Sequence, residues 1–196
     1  SFGSTNCTAC KDGEYSSFEG AAYCSIAKAG FKPNLARSGV EICPAGKYSI
    51  GGKPECSDCG ENTFSSEGSV GCTICAECGA GKFIMKECTP STDSECEFCL
   101  PPTYSSGGKK TCNSCQYNQY QDQEGASNCK YCDAGKVPSS DQKSCNSCDP
   151  GYFSGIGDIN CKECIAGLYS SEKESQKCSY CQPGTYSSAT STICDS

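Results

Sequence analysis

Apolar residues in this chain occur singly or in short clusters, and they recur at a spacing much longer than the period of a helix or a strand. A single aromatic residue, usually followed by serine, returns about every 16 or 17 residues. Each aromatic and its serine indicate a short strand, and a glycine- or serine-rich bend then returns the chain. The pattern predicts an elongated tandem array of short irregular β-hairpins with little helix and no large hydrophobic core.

Cysteine pairs of the form Cys-x-x-Cys follow the same step, and a repeat of this kind defines the fold before any single element does. Pairs begin at Cys96, Cys112, Cys129, Cys145, Cys161 and Cys178, Cys194 begins another, and the step also joins Cys56 to Cys72 and Cys7 to Cys24. The second cysteine of each pair, here called the leading cysteine, opens the motif Cys-x-x-Gly-x-aromatic-Ser. The aromatics are Tyr15, Tyr48, Phe64, Phe83, Tyr104, Tyr120, Phe153, Tyr169 and Tyr186, and Val137 is the exception.

The third residue after the leading cysteine is glycine in most repeats and asparagine in two, Asn62 and Asn118. Both residue types tolerate a positive φ, so a tight turn is predicted at this position. Pro102 occupies the position once and requires another kind of turn.

Composition places the chain in the class of disulfide scaffolds. Only 36% of its 196 residues are hydrophobic, with no tryptophan and one methionine, which is too little for one large core. The 23 cysteines far exceed cytosolic usage and indicate an oxidising compartment. We therefore expect an extracellular protein, secreted or at the cell surface.

Charge and hydropathy exclude several partners. The net charge is −7 and the basic residues are scattered, so no basic stripe is present to bind nucleic acid or anionic lipid. No apolar run approaches the length of a membrane span, and no signal peptide follows Ser1. The sequence suggests a processed or excised ectodomain with no membrane span in this segment.

One damaged repeat suggests how the cysteines pair. Ala27 and Val40 stand where cysteines are expected, and they lie 13 residues apart, as Cys59 and Cys72 do. If each leading cysteine bonds the first cysteine of the next pair, Ala27 and Val40 are the two halves of one lost bridge. The rule predicts the bridges Cys10–Cys24, Cys43–Cys56, Cys59–Cys72, Cys99–Cys112, Cys115–Cys129, Cys132–Cys145, Cys148–Cys161, Cys164–Cys178 and Cys181–Cys194.

The repeats resemble two extracellular families. The single-bridge units are similar to cysteine-rich repeats of the ephrin-receptor-like type, and Cys72-Thr-Ile-Cys75-Ala-Glu-Cys78 through Cys88-Thr-Pro-Ser-Thr-Asp93-Ser-Glu-Cys96 resembles a tumour-necrosis-factor-receptor cysteine-rich domain. The second resemblance implies a crossed pairing, Cys75–Cys88 and Cys78–Cys96. Units of both types occur in receptors, protist surface proteins and matrix proteins, so the resemblance implies fold and location better than function.

The domain organisation expected from these patterns is one continuous repeat rod over residues 1–196. Single-bridge repeats occupy 7–74 with a bridgeless repeat at 25–42, the two-bridge unit occupies 75–98, and regular repeats of 16 or 17 residues occupy 99–196. Closing a loop of about 15 residues stabilises by roughly 3 kcal/mol in the chain-entropy model, so each repeat needs almost no core. Such an array has the physics of a linear solenoid.

Two functions from different classes follow. The first is an extracellular structural rod that serves as a stalk, a spacer or a subunit of a surface filament or matrix fibre, with itself as partner. The alternative is a receptor-like ectodomain that binds a protein ligand along its side, with the unit from Cys75 to Cys96 and its neighbours carrying the contact.

Metal and redox chemistry are the alternatives for Cys-x-x-Cys pairs. A zinc ribbon uses two complete pairs per metal, so Ala27 and Val40 would leave Cys24 and Cys43 as half-sites, and the chain has no histidine. A redox motif occurs once on a strand-to-helix turn, whereas these pairs recur. Calcium-loop spacing and a Ser-His-Asp or Cys-His arrangement are absent. No enzyme activity, cofactor or metal is predicted.

Covalent glycans are a further hypothesis. The serine pairs after the aromatics are candidate O-glycan sites, with ordinary turn serine as the competing interpretation, and Asn6 lies in a formal sequon whose middle residue is Cys7. The candidate serines are Ser16, Ser17, Ser65, Ser66, Ser105, Ser106, Ser170, Ser171, Ser187 and Ser188.

Two further expectations concern the segment from Ser25 to Ile42 and the cysteine left over by the pairing rule, Cys7. The segment is the most apolar cysteine-free stretch, and we expect a short helical turn in it, acting either as a degenerate repeat or as an exposed docking patch. Cys7 has no partner under the pairing rule, so we expect that it continues a longer array or bonds another subunit.

Overall fold

The computed structural model describes residues 8–196, and within that range it contains twenty short strands and no helix. The first eight strands are β1 Glu14–Tyr15, β2 Ser25–Ile26, β3 Phe31–Pro33, β4 Val40–Ile42, β5 Lys47–Tyr48, β6 Ser57–Asp58, β7 Thr63–Phe64 and β8 Thr73–Ile74. They are followed by β9 Lys82–Lys86, β10 Glu95–Phe98, β11 Thr103–Tyr104, β12 Asn113–Ser114, β13 Gln119–Tyr120 and β14 Lys130–Tyr131. The last six are β15 Lys136–Pro138, β16 Cys145–Ser147, β17 Tyr152–Phe153, β18 Lys162–Glu163, β19 Leu168–Tyr169 and β20 Ser179–Tyr180.

Within residues 8–196 each strand pairs with its neighbour in sequence, which gives ten two-stranded sheets there. In a typical repeat, β5 pairs antiparallel with β6 so that Tyr48 lies opposite Ser57, and the Cys43–Cys56 bridge closes the loop. An isolated two-stranded hairpin is marginal in water, so the bridge is needed to hold it. The predicted fold class, a disulfide-rich array of short hairpins with little helix, is confirmed.

Eleven bridges join the described cysteines. They connect the nine pairs that the alternating rule names, and Cys75 to Cys88 and Cys78 to Cys96 as the receptor resemblance implies. Their Cα–Cα distances run from 5.6 to 6.1 Å, within the range that a disulfide spans.

The interior of each repeat is small and consists mainly of sulfur and hydroxyl groups. The buried residues of the described chain include the leading cysteines Cys43, Cys75, Cys78, Cys99, Cys115, Cys132, Cys148 and Cys164, and the serines Ser49, Ser65, Ser105, Ser154, Ser170 and Ser187. The aromatics beside these serines are half-buried, apart from Tyr186. Stability therefore depends on the bridges and on hydrogen bonding more than on apolar burial.

The chain divides into two compact units. The first contains the residues up to Glu77 together with Met85–Glu95, and the second contains Cys78–Ile84 and Cys96–Ser196. The Cys75–Cys88 bridge belongs to the first unit and the Cys78–Cys96 bridge to the second. The division therefore falls inside residues 75–98, the denser two-bridge segment.

The bridgeless repeat at 25–42 contains strands, so the expected helical turn is wrong. β3 pairs with β4, and Pro33 lies opposite Val40. Gly30 takes a φ of 82°, and Pro33 has no N–H to give, so neither residue suits a helix interior. Ala27 is fully buried in the place of the missing leading cysteine.

The bridgeless repeat has a close counterpart in the Cys132–Cys145 repeat. There β15 pairs with β16 in the same register, with Pro138 opposite Cys145. Pro33 and Pro138 both replace the usual buried serine, which is the sequence signal that links the two repeats. Val40 thus occupies the position of Cys145.

Candidate functional site

The junction between consecutive repeats is the most regular feature of the structure, and it is made of main-chain hydrogen bonds. Between the Cys148 and Cys164 repeats, Gly151 N–H donates to the Ser170 carbonyl at 2.8 Å. Glu174 N–H donates back to the Cys148 carbonyl at 2.9 Å. Since these groups belong to the backbone, the junction tolerates wide variation in side chains.

The next junction repeats the same geometry between the Cys164 and Cys181 repeats. Gly167 N–H donates to the Ser187 carbonyl at 3.0 Å, and Thr190 N–H donates to the Cys164 carbonyl at 2.8 Å. Equivalent pairs elsewhere are Gly46 to Ser65 and Gly68 to Cys43, and Gly81 to Ser105 and Gly108 to Cys78. A repeat with this junction therefore presents one face that gives and accepts these bonds to the complementary face of the next repeat.

The buried serine adds a side-chain hydrogen bond to the junction. Ser65 Oγ donates to the Lys47 carbonyl at 3.0 Å, and Ser187 Oγ donates to the Leu168 carbonyl at 2.9 Å, in each case in the preceding repeat. A buried hydroxyl is costly unless it is hydrogen-bonded, so serine suits this position better than a larger polar residue. The serine of the repeated motif is a structural residue.

This packing changes the glycan hypothesis. Ser65, Ser105, Ser170 and Ser187 are buried, and Ser16 is half-buried. The second serines of the pairs, Ser17, Ser66, Ser106, Ser171 and Ser188, are exposed. Attachment of a sugar requires a hydroxyl that solvent reaches, so the hypothesis now applies to the second serine of each pair. Asn6 and Cys7 lie outside the described residues.

Contacts also reach the repeat two positions along. A Cβ placed on Gly151 would lie 2.2 Å from the carbonyl oxygen of Thr190, and one on Gly81 would lie 2.0 Å from that of Gly125. The φ angles of Gly151 and Gly81 are 85° and 81°, so glycine is required at these turns on two grounds. Sequence alone predicted the turn but not the close approach.

The bend that follows each short strand also takes a positive φ. Glycine supplies it in most repeats, for example Gly68 and Gly125, whereas Glu174 and Thr190 adopt φ values of 60° and 61°. Among the described residues, the positive-φ residues other than glycine are Arg37, Asn62, Gln142, Glu174 and Thr190. The predicted tight turn is present at both asparagines, with a positive φ at Asn62 and a negative one at Asn118.

The residue just before a leading cysteine belongs to the last strand of one repeat, and it packs on the bend of the repeat two positions further along the chain. A Cβ on Gly68 would lie 3.0 Å from the Ile42 side chain, and one on Gly125 would lie 2.8 Å from the Phe98 ring. Apolar residues at this position are thus paired with glycine at the bend. These residues remain exposed on their outer side, so their sequence pattern gave no sign of the contact.

Before Cys148, a hydrogen bond between Ser147 and Glu174 takes the place of this apolar contact on the bend. Ser147 Oγ donates a hydrogen bond of 2.6 Å to the Glu174 carboxylate, and Lys136 Nζ lies 3.3 Å from the same carboxylate. The hydrogen bond from Ser147, followed by the hydrogen bond from Lys136, lowers the pKa of Glu174. The carboxylate is therefore held in its ionised form.

The two repeats with proline in place of the motif serine, Pro33 and Pro138, use a side chain to make their junction. Gln142 Nε2 donates to the Gln119 carbonyl at 3.1 Å, and Arg37 donates through its guanidinium to the Cys10 carbonyl and, at 2.6 Å, to Asp12. Both residues stand at the bend, where other repeats donate a backbone N–H. A long donor side chain at the bend could have been found from the sequence once the two prolines were aligned.

Metal coordination has one geometric candidate among residues 8–196, the cluster of Cys75, Cys88 and Asp93. Cys75 and Cys88 are bonded to each other, and a bridged sulfur is not the thiolate that binds zinc. Asp93 accepts hydrogen bonds from the N–H groups of Ala76 and Ser94, both at 2.7 Å. Asp93 thus orders the chain between the two bridges, a role that the sequence did not reveal.

The surface of the second unit carries one apolar hollow of about 340 Å³. Phe153, Ile165 and Leu168 line it together with Lys162, Glu163 and Lys177. Ile165 is mostly exposed. The hollow therefore offers both apolar and charged contacts.

In residues 8–196 no helix is long and apolar enough to cross a membrane. No protein-family model matches the chain, and no curated protein sequence matches it. What can be concluded about function therefore comes from the repeats, their junctions and their exposed surfaces.

Proposed function

We propose that this chain is an extracellular structural protein segment, serving as a stalk, a spacer or a subunit of a surface filament or matrix fibre. The observation that carries the proposal is the recurrence of the same main-chain junction, as between Gly151 and Ser170 and between Gly167 and Ser187. A protein built to provide length needs a junction that can be repeated without a specialised side-chain site. The eleven disulfides favour an oxidising location outside the cell.

The stability of the bridges fits this role. Each bridge closes a short loop, and loss of one such bridge from a small secreted domain typically costs 2 to 5 kcal/mol. A structural protein outside the cell benefits from local bridges because damage to one repeat leaves the bridges of the others intact. This independence is a property of linear repeat arrays.

Electron microscopy and localisation of the native protein test the proposal. Antibodies against the chain should label the cell surface or the surrounding matrix, and the label should coincide with a stalk, coat or fibre. Protein confined to the cytosol, with its thiols reduced, would exclude the proposed function. Dispersed monomers that capture a specific partner protein would favour the alternative.

A receptor-like ectodomain is the second candidate, and the apolar hollow of the second unit favours it. Phe153, Ile165 and Leu168 offer apolar surface that a protein ligand could cover, and Lys162 and Lys177 line the same hollow. The substitution Ile165→Asp should abolish ligand capture if this candidate is correct. Under the structural proposal the same substitution leaves surface labelling unchanged.

A further inference from the structure

The bridgeless repeat at 25–42 changes how the chain carries tension. In a bridged repeat, a pull along the chain passes from Cys43 through the disulfide to Cys56, and the hairpin between them bears none of it. In the denser segment the Cys78–Cys96 bridge bypasses the loop between its cysteines in the same way. None of the described disulfides spans residues 25–42, so the backbone of that repeat must carry the pull itself.

The length that each kind of repeat can release differs several-fold. A bridged repeat offers the disulfide, 5.8 Å between the Cα atoms of Cys43 and Cys56, and then the three residue steps to Cys59. That path measures about 16 Å when it is fully extended. From Ala27 to Cys43 the path follows the backbone for 16 residues, about 55 Å when extended. The folded bridgeless repeat has the register of a bridged one, so opening it adds about 40 Å.

Hydrogen bonds and ion pairs hold the bridgeless repeat closed. Gly30 N–H donates to the Ser49 carbonyl at 2.8 Å, and Cys43 N–H donates to the Gly30 carbonyl at 2.9 Å. Lys32 Nζ lies 2.7 Å from the Glu55 carboxylate. Contacts of both kinds are individually weak in water, and an isolated two-stranded hairpin is marginal. No covalent bond resists the opening of this repeat.

The register shows that a pull would unzip this hairpin. Phe31 lies opposite Ile42 at the open end, and Pro33 lies opposite Val40 beside the bend. Tension that enters before β3 and leaves after β4 separates Phe31 from Ile42 first and then opens the other pairs in order toward the bend. Opening one pair at a time requires less force than sliding two strands past each other, which breaks all their pairs together.

The repeat nevertheless folds at rest without a bridge. Ala27 is fully buried where a leading cysteine would lie, and Val40 pairs with Pro33 as Cys145 pairs with Pro138. The presence of Ala27 and Val40 in place of two cysteines therefore removes the covalent limit on length and leaves the register unchanged.

We propose that the bridgeless repeat is an extensible element, which opens under tension and lengthens the chain while the bridged repeats keep their length. The proposal rests on the proposed structural function and adds a mechanical function to it. The Cys10–Cys24 and Cys43–Cys56 bridges hold the neighbouring repeats on both sides of the opened segment. The hairpin is local in sequence, so it reforms quickly when the tension falls.

Single-molecule pulling of the full chain through its two ends, without reductant, tests the proposal. Wild-type protein should give one extension of about 40 Å, and the same extension should recur after relaxation. The double substitution of Ala27→Cys and Val40→Cys should abolish this extension when intact mass shows that the new bridge has formed. Reductant should restore it, together with similar extensions from the other repeats.

Insertions identify the repeat that opens. Ten glycine and serine residues placed between Leu35 and Ala36, in the exposed bend, should lengthen the extension by about 35 Å. The same insertion between Ser140 and Asp141, at the equivalent bend of the Cys132–Cys145 repeat, should leave the extension unchanged because the disulfide bypasses that loop. Insertions in exposed bends are well tolerated, so both variants should fold.

Three results would overturn the extensible element. They are a wild-type chain that shows no extension of this size with its bridges intact, an extension that persists after the new bridge has formed, and an extension that grows with the insertion at Ser140. The proposed structural function would survive each of them, because labelling of the cell surface or matrix tests it separately. Label confined to the cytosol would exclude the structural function whatever the pulling experiment shows.

Discussion

The Cβ position of Gly151 lies 2.2 Å from the carbonyl oxygen of Thr190, a residue that belongs to the repeat two positions along the chain. No real Cβ atom can occupy that position. The array therefore depends on contacts between alternate repeats as well as between neighbours.

Gly151→Ala should be strongly destabilising. Its methyl group forces the Thr190 carbonyl away, and overpacking of this kind typically costs about 1 to 3 kcal/mol in addition to the strain of a positive φ. Hydrogen exchange at the Thr190 amide, which donates to Cys164, should become faster. Gly108→Ala, with strain but no steric conflict, should change that amide little; equal effects in both variants would show that the close approach is unimportant.

Thr190→Gly should stabilise the second unit. Thr190 is β-branched and adopts a φ of 61°, a conformation that costs an L-residue about 1 to 2 kcal/mol, whereas glycine adopts it freely. After allowance for the greater chain entropy of glycine, we expect a gain of up to about 1 kcal/mol in thermal or urea unfolding. Thr103→Gly in β11, also in the second unit, is the control and should lower stability. A loss at both positions would contradict the prediction.

The contact between Ser147 and Glu174 should make stability depend on pH. The pKa of Glu174 is lower in the folded state than in the unfolded chain, so its ionised form stabilises the fold above its unfolded pKa. That contribution is lost as the pH falls through the folded pKa. Glu174→Gln should therefore be less stable than wild type at pH 7 and equal to it at strongly acidic pH.

Hydrogen exchange or thermal unfolding across the acidic range measures this difference. Glu172→Gln is a suitable control, because Glu172 is exposed and makes no ion pair within residues 8–196. A difference between Glu174→Gln and wild type that stays constant down to strongly acidic pH would show that ionisation of Glu174 has no part in the contact.

The double substitution of Ala27→Cys and Val40→Cys should create a twelfth bridge. Val40 lies opposite Pro33 in the register that places Cys145 opposite Pro138, and Cys145 is bonded to Cys132. The new loop is as long as its neighbours, so we expect a stabilisation of about 3 kcal/mol in the chain-entropy model. Intact mass should show the loss of two hydrogens, and alkylation should find no added thiol. Two reactive thiols would mean that the repeats are not equivalent.

Disulfide mapping of the unreduced protein should recover alternating bridges. Proteolytic peptides should join Cys132 to Cys145 and Cys148 to Cys161, and in the denser segment Cys75 to Cys88 and Cys78 to Cys96. A bridge within any Cys-x-x-Cys pair, such as Cys145 to Cys148, would contradict both the pairing rule and the structure.

Local features of this protein could be predicted from its sequence because they depend on the spacing of the cysteines within and between repeats. The spacing of the cysteines indicated the hairpins, and the replacement of two expected cysteines by Ala27 and Val40 indicated the alternating bridges. These features need only short-range geometry within one repeat. The expected helical turn at 25–42 is wrong because Gly30 adopts a positive φ and Pro33 lies in a paired strand, and the apolar content of the segment showed neither feature.

The junctions between repeats could not be predicted from the sequence. Their hydrogen bonds join backbone groups, which every residue except proline carries, so the sequence does not show which of these groups pair. Whether a serine after an aromatic is exposed or buried, as Ser66 and Ser65 are, depends on the repeat that packs against it. The sequence by itself determined the bridges and the hairpins, and only the tertiary structure decided how repeats lock together, because that depends on positions in space and not on side-chain identity.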